Sequence, residues 1–243
     1  TWNKQTAQDR INARLAEVKT VEIREYGRDT DLNGLANGVA YRVDGVHVYV
    51  DILNLDEMLG TTNFEGVLVH KRTLRFLNLH FRAARNIEVD FHNQRLHAVF
   101  AKPYDDEAKR IHRAVATAQL MIDVLARTGE GGDDPLPAAK VRVGIDSGEA
   151  LAVNNGRRGH REPLFLGCAA NLAAKRAGGG SKAGIFMTNN ARAAVGWSEA
   201  SNVDTIALTT EEIEKSQDKA KLGITVDSVV KTWKEDLEKF PIG

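Results

Sequence analysis

Asp51 is the first residue of this sequence whose type and position could do chemistry. It ends the β-branched run VHVYV, and Ile52, a short polar segment and a helical pattern follow it. A carboxylate at a strand tip can hold a divalent cation that bridges triphosphate oxygens. The backbone amides from Ile52 to Asp56, which include those of Asn54 and Leu55, could then bind the terminal phosphates. Taken alone, Asp51 is more simply explained as the end of a strand or the cap of the next element.

Three other segments carry side chains suited to nucleotide chemistry. The turn HNQR at 92–95 matters only if it lies beside the end of the strand just described; otherwise it is only a turn. In GCAANLAAKRAG, Asn171 and Lys175 are four residues apart and share a helical face, where an amide and a cation could steady a ribose and a charged phosphate. The basic loop GRRGHR at 156–161 could bring Arg158 to a triphosphate. Surface helix positions and a solvated charged loop are the simpler alternatives.

Composition and charge argue against several classes of protein. The 243 residues are enough for one large domain with extensions, and 33 Lys+Arg balance 33 Asp+Glu. Zero net charge and 6% aromatic residues argue against a ferredoxin-like nucleic-acid binder, which would present a basic surface and stacking rings. The single Cys168 cannot form an intrachain disulfide, no apolar run reaches about 18 residues, and the N-terminus lacks the pattern of a secretion signal. We therefore expect a cytoplasmic protein that binds neither membrane nor nucleic acid.

The β-branched stretches predict strands and two hairpins. VAYRVDGVHVYVDIL at 39–53 predicts a hairpin that turns at Asp44-Gly45. NIEVDF and LHAVFA predict a second hairpin, whose turn is the segment 92–95. KVRVGID and EALAVNN predict two further strands, and GIFMT predicts another.

Apolar residues at helical spacing predict the helices. The clearest helix is predicted over 105–128, where Ile111, Val115, Ala118, Ile122 and Leu125 recur on one side. The other predicted helices are at 6–20, 63–84, 168–177, after an N-cap at Thr188 or Asn189, and in the charged segment 210–236, which is expected to be peripheral. GGGSK at 178–182 lacks the spacing of a phosphate-binding loop and predicts a helix end.

The order of these elements predicts an α+β fold. Strand, helix, hairpin, helix and strand give a ferredoxin-like βαββαβ order, in which helices pack on a mixed sheet. We expect an N-terminal extension over 1–38, the main domain over 39–209 and a C-terminal helical extension over 210–243.

Over roughly residues 43–208 these segments together resemble the class III adenylate/guanylate cyclase family. The family's first signature, an aromatic, any residue and then Asp-Ile, is kept as Tyr49-Val50-Asp51-Ile52, whereas Asn54 replaces a glycine. VRVGIDSGEALA is similar to the family's RVGIHTG stretch, and LGCAANLAAK is similar to LGDTVNLAAR, with Lys175 in place of the arginine. Each piece alone is weak, but their order and spacing together are specific.

The departures from the family bear on the metal and the base. The family's hairpin reads Lys-x-x-Gly-Asp in adenylate cyclases and Glu-x-x-Gly-Asp in guanylate cyclases. Aligning LHAVF with the family's second strand places Gln94 at the second metal aspartate and Asp90 at the residue that reads the purine. The second base-reading position falls on Leu164, so neither purine code is present. Either a loop shift brings a group such as Asp90 to the metal, or this copy of the site is weakened or engineered.

A bulky Tyr49 beside Asp51, with an acid at Asp90, suggests a pocket narrowed for a small base. In this the sequence looks like the pyrimidine cyclases of bacterial anti-phage Pycsar systems. The resemblance implies conversion of UTP to 3′,5′-cyclic UMP and pyrophosphate, and a product that acts on a separate effector. CTP or a purine nucleotide is the alternative substrate. A catalytically weak, cyclase-like nucleotide-binding module is an alternative of another class, and Gln94 is its best argument.

The resemblance also implies a homodimer with its sites at the subunit interface. Mn²⁺ or Mg²⁺ would bind Asp51 and the Ile52 carbonyl of one subunit, with Gln94 in the place of the second metal aspartate. Asn171 and Lys175 of the other subunit would orient the ribose and stabilise charge on the α-phosphate.

Overall fold

The computed structural model describes residues 3–16, 20–32, 35–36, 38–54, 88–92, 95–102, 105–127, 139–155 and 162–239. The strands are β1 (Glu22–Glu25), β2 (Val39–Ile52), β3 (Glu88–His92), β4 (Arg95–Ala101), β5 (Val141–Asn155), β6 (Glu162–Leu166) and β7 (Gly184–Met187). The helices are α1 (Lys4–Ala16), α2 (Glu107–Arg127), α3 (Cys168–Gly178), α4 (Asn189–Ala194), α5 (Thr210–Ala220) and α6 (Val226–Lys239). The helix predicted over 63–84 lies outside the described residues. Within the described part of the chain, no helix combines the length and apolar composition needed to cross a bilayer.

One mixed sheet of seven strands organises the described part of the chain. Its order is β3-β4-β2-β5-β6, and β1 and β7 add parallel to β2 and β5 respectively. β2 is antiparallel to both β4 and β5, and β3 is antiparallel to β4. The predicted α+β class, the hairpin around 92–95, and the helices α2, α3 and α4, the last with Thr188 as its N-cap, are therefore confirmed.

The predicted hairpin at 39–53 is wrong, because β2 continues straight through Asp44-Gly45. A Cβ on Gly45 would lie 3.0 Å from Val99 Cγ1 and 3.2 Å from the Phe100 carbonyl oxygen. The glycine is thus needed for close approach of neighbouring strands and not for a turn. The two strands predicted from KVRVGID and EALAVNN are also one strand, β5, in which Gly148 pairs with Gly45.

The two faces of β2 point to different helices. Val46, Val48 and Val50 lie in a core with the apolar side of α2. Val229 and Val230 of α6 are buried in the same core, so the C-terminal helices contribute to it. The boundaries proposed at residues 38 and 209 stay predictions.

The other face of the sheet, here called the α3 face, carries His47, Tyr49 and Asp51. Helix α3 buries Ala169, Ala170, Ala173 and Ala177 against it. A Cβ on Gly144 would overlap the Ala173 carbonyl oxygen and lie 2.6 Å from the Ala177 amide nitrogen. Close docking of α3 on the sheet therefore depends on the missing side chain at Gly144.

We expect Gly144→Ala to lower the free energy of unfolding by at least about 2 kcal/mol, because the added methyl group overlaps the α3 backbone. Urea unfolding measures this change. Gly27→Ala is the matched control, since a Cβ there meets nothing nearer than Thr30 Oγ1 at 4.0 Å. Equal stabilities of the two variants would show that α3 is not packed as described.

Candidate active site

Asp51 lies at the tip of β2, flanked on the sheet by two arginines. Its register partners are Arg95 on β4 and Arg142 on β5. Arg95 pairs with His92 on β3, so the turn at 92–95 does lie beside the end of the Asp51 strand, as its functional interpretation requires. The turn of the hairpin and the Asp51 carboxylate therefore lie at the same end of the sheet, here called the Asp51 end.

The Asp51 carboxylate is buried and only half satisfied. It is 8% exposed, and its Oδ2 accepts a hydrogen bond from Arg95 Nη2 at 2.7 Å. Its Oδ1 is buried without a hydrogen-bond partner among the described residues. An unpaired buried carboxylate oxygen is unfavourable unless a cation or donor reaches it. Oδ1 thus fits a hard divalent cation, for which the Ile52 carbonyl stays a predicted ligand.

The described side chains supply few other ligands for such a cation. In the described ranges, no group of three or more His, Cys, Asp or Glu could hold a metal. Gln94, Leu55 and Arg158 lie outside the described residues, so their predicted roles remain predictions.

Arg95 is a further candidate site residue, for which the turn 92–95 is the only signal in the sequence. Its side chain is 39% exposed, so the guanidinium reaches both Asp51 and solvent. The last turn of α3 lies over this ion pair: a Cβ on Gly178 would be 3.0 Å from Arg95 Nη2 and 3.9 Å from Asp51 Oδ2. A fixed positive charge therefore stands at the place where a triphosphate is expected.

Asn54 has a structural role at the end of β2. The residue is 7% exposed, and its side-chain Oδ1 accepts a hydrogen bond from the Lys140 amide at 2.8 Å. The Leu53 amide donates to the Lys140 carbonyl at 2.8 Å and is taken by this contact. The Leu53 amide is thereby removed from the expected phosphate cradle at 52–56, and phosphate binding by Asn54 stays a prediction for its backbone.

Arg142 holds the C-terminal end of α3 at the Asp51 end of the sheet. Its buried guanidinium donates to the carbonyl oxygens of Arg176, Lys182 and Asp204, at 2.6, 3.1 and 2.5 Å. It also lies 3.4 Å from the centre of the Phe186 ring. Burial, and secondarily the charge of Arg176, lower its pKa, but an arginine remains charged. The carbonyl oxygens at the end of a helix are favourable partners for that charge.

Asn171 and Lys175 share the outer side of α3, as their spacing predicts. Both are exposed, whereas the alanines of this helix face the sheet. Within one protomer the two side chains therefore point away from the face that carries Asp51. Leu164 and Leu166 on β6 add exposed apolar side chains, 40% and 51% exposed, just before α3.

A second row of paired residues crosses the sheet next to the row of Arg95, Asp51 and Arg142. Asp90 on β3 pairs with His97 on β4, His97 pairs with Tyr49 on β2, and Tyr49 pairs with Gly144 on β5. Two predicted base-binding positions, Tyr49 and Asp90, thus belong to one row, although the Asp90 side chain lies outside the description. Leu164 lies on the other side of β5, on β6.

Tyr49 belongs to a ring cluster, which we define as His47, Tyr49, His97 and Phe165. Tyr49 stacks on His97 with ring centres 4.0 Å apart and planes 9° apart. His97 Nε2 lies 3.1 Å from His47 Nδ1, and Phe165 meets both imidazoles edge-on. Burial lowers the pKa of His47 to about 4, so this imidazole is neutral near pH 7.

The depressed pKa of His47 predicts a pH-dependent stability. In the unfolded chain this histidine takes up a proton near pH 6.5, whereas in the folded chain it does so near pH 4. Between those values the unfolded state holds more protons, so stability is lost as the pH falls through this window, by up to about 3 kcal/mol.

Urea unfolding between pH 7 and pH 4 measures this loss. His47→Leu is expected to flatten the dependence, because it removes the group that titrates. An unchanged pH slope in that variant would contradict the assignment.

No protein-family model matches this chain. It is 53% identical over 254 residues to a uridylate cyclase of Pseudomonas aeruginosa, an alignment that covers 100% of this chain and 49% of that protein. A uridylate cyclase of a Rhizobium species is 38% identical over 177 residues, which cover 69% of this chain and 34% of the relative. The chain thus spans half or less of the length of these curated relatives.

The fold is similar to that of a solved structure. This is the crystal structure of a class III adenylyl cyclase-like ATP-binding protein from Pseudomonas aeruginosa, with a TM-score of 0.82 and 53% identity. The match covers 100% of this chain and 54% of that one. The sequence is therefore similar to uridylate cyclases, and the fold is similar to a class III adenylyl cyclase-like protein.

Proposed function

We propose that this chain is a class III nucleotide cyclase that converts UTP to 3′,5′-cyclic UMP and pyrophosphate. The observation that carries the proposal is Asp51, a buried strand-tip carboxylate with one oxygen paired to Arg95 and one without a partner among the described residues. The identity to two uridylate cyclases supports uracil as the base.

The reaction forms one bond and breaks one. The ribose 3′-oxygen attacks the α-phosphorus in line and loses its proton, and the bond from the α-phosphorus to the bridging oxygen of pyrophosphate breaks. A divalent cation, Mn²⁺ or Mg²⁺, held by Asp51 Oδ1 and the Ile52 carbonyl would lower the pKa of the 3′-hydroxyl and neutralise leaving charge. Positioning and charge stabilisation supply most of the acceleration in such transfers.

Arg95 provides this site with a positive charge in addition to that of a bound metal ion. Its guanidinium contacts Asp51 and is partly exposed, so it can contact the β- and γ-phosphates without leaving its carboxylate. The sequence has an amide, Gln94, where the family has a second metal carboxylate. Arg95 would then offset part of the phosphate charge that a second cation neutralises elsewhere in the family.

The second half of the site would come from another subunit. Asn171 and Lys175 are exposed on α3 and face away from their own Asp51. The exposed Leu164 and Leu166 lie on β6, just before α3 in the chain, and suit a two-fold interface. In such a homodimer, Asn171 and Lys175 of one subunit would act on the nucleotide bound at Asp51 of the other subunit. Asn171 would orient its ribose, and Lys175 would stabilise its α-phosphate. The cyclic nucleotide would act on a separate effector, as an anti-phage signal.

A nucleotide panel tests the proposed function. The chain is incubated with each of the four ribonucleoside triphosphates and Mn²⁺, and the products are identified by mass spectrometry. We expect cyclic UMP as the main product, with CTP as the nearest competitor. Faster turnover of ATP or GTP would overturn the proposal.

A nucleotide-binding module without turnover is the second candidate. The ion pair from Arg95 to Asp51 favours it, because it already neutralises the metal carboxylate. This candidate predicts that Gln94→Asp leaves the chain inactive. A large gain of activity in that variant would instead identify an impaired cyclase.

A further inference from the structure

We propose that His97 is a positioning residue that sets the width of the base pocket by fixing the Tyr49 ring. This inference rests on the proposed function, because it requires Tyr49 to line the base site. His97 and Tyr49 are directly paired across β4 and β2, on the same face of the sheet as Asp51. The pair therefore lies one row away from the carboxylate of the candidate active site.

The Tyr49 ring and the His97 ring share one orientation. Their centres are 4.0 Å apart and their planes differ by 9°, so one ring cannot turn about its own axis without the other. Tyr49 is only partly buried, whereas His97 is 6% exposed. The more buried imidazole is therefore the member of the pair that sets the plane.

His97 is itself held from two other directions. His47 Nδ1 lies 3.1 Å from His97 Nε2, and Phe165 stands perpendicular to the imidazole with centres 5.3 Å apart. A hydrogen bond to a ring nitrogen fixes the rotation of an imidazole in a way that packing on a phenyl ring does not. His47 thus limits the rotation of the His97 ring, and His97 in turn limits the rotation of the Tyr49 ring.

Stability alone does not explain this arrangement. His47 is fully buried, and its Nε2 has no hydrogen-bond partner in the described part of the chain. An unpaired buried ring nitrogen is unfavourable, and an aliphatic side chain would fill the position without that penalty. What the two histidines add is a fixed ring plane, and a pocket selects between a pyrimidine and a purine only if its walls are held within a fraction of an ångström.

The test compares base selection in variants of His97 in the full chain. We measure kcat and KM for UTP, CTP and ATP, together with urea unfolding, for His97→Ala and His97→Asn. Both variants remove the ring over Tyr49, and the second keeps a polar group facing His47. We expect the UTP-to-ATP ratio of kcat/KM to fall by about tenfold or more, mainly through a lower KM for ATP. His97→Phe restores a flat ring but loses the contact with His47 Nδ1, and is expected to recover only part of the ratio.

Phe100→Leu is the matched control, because Phe100 is buried on the same strand but faces α2. It is expected to lower stability and leave the ratio unchanged. If either small variant folds, cyclises UTP and keeps the wild-type ratio, His97 does not position Tyr49. If the wild-type chain makes no cyclic pyrimidine, the proposed function fails first, and the two failures are thereby distinguished.

Discussion

Replacing Asp51 by asparagine is expected to lower UTP cyclisation by about 1,000-fold or more. The substitution keeps the shape of the side chain but removes the charge that would hold the cation. Charge stabilisation by a bound cation contributes several kcal/mol to such a reaction, and each step of about 1.36 kcal/mol is a factor of ten in rate. Mass-spectrometric assay of cyclic UMP, with saturating UTP and Mn²⁺, measures the loss.

Asp44→Asn controls for the loss of an ion pair on the same strand. Asp44 contacts Arg110 and Lys102. It lies seven residues before Asp51 on β2, at the opposite end of the pairing with β4. That variant is expected to lose stability and keep its turnover at a temperature where it is folded. Retention of more than a tenth of wild-type activity by a folded Asp51→Asn chain would remove Asp51 from the mechanism.

Replacing Lys175 by alanine is expected to lower kcat by about 100- to 1,000-fold, with a much smaller change in KM for UTP. The reason is that its ammonium group would contact charge that develops on the α-phosphate in the transition state, and one such donor is commonly worth that factor. Steady-state kinetics separate kcat from KM.

Lys215→Ala is the surface control for this variant. Lys215 is exposed on α5, where it pairs with Glu211 one helical turn away. It is expected to behave as the wild type. A Lys175→Ala chain with unchanged kcat would show that the outer side of α3 takes no part in catalysis.

The elements whose signals are local could be predicted from the sequence. The second hairpin, α2, α3 and the Thr188 cap each follow from a contiguous pattern, and the structure confirms them. The course of β2 and β5 could not be predicted in this way. Gly45 looks like a turn residue along the chain, and only the approach of Val99 and Phe100 on β4 shows that it permits close packing of neighbouring strands.

The place of the candidate site in the fold could be predicted from the sequence, but its contacts could not. Asp51 at a strand tip beside the hairpin turn follows from the order of the elements. Its ion pair with Arg95 and the contact between His47 and His97 join residues 44 and 50 positions apart, for which the sequence carries no local signal. The short strand β6, with Leu164 and Leu166 exposed, also lacks the pattern of a half-buried strand.

Mixing two inactive variants tests most directly whether the site is shared between subunits. Asp51→Asn and Lys175→Ala chains are co-refolded in equal amounts, and cyclic UMP formation is compared with that of each variant alone. Each mixed dimer carries one site with both defects and one site with neither, so random pairing predicts recovery of about a quarter of wild-type activity. A mixture no more active than its separate components, although mixed dimers form, would contradict a site built from Asp51 of one subunit and α3 of the other.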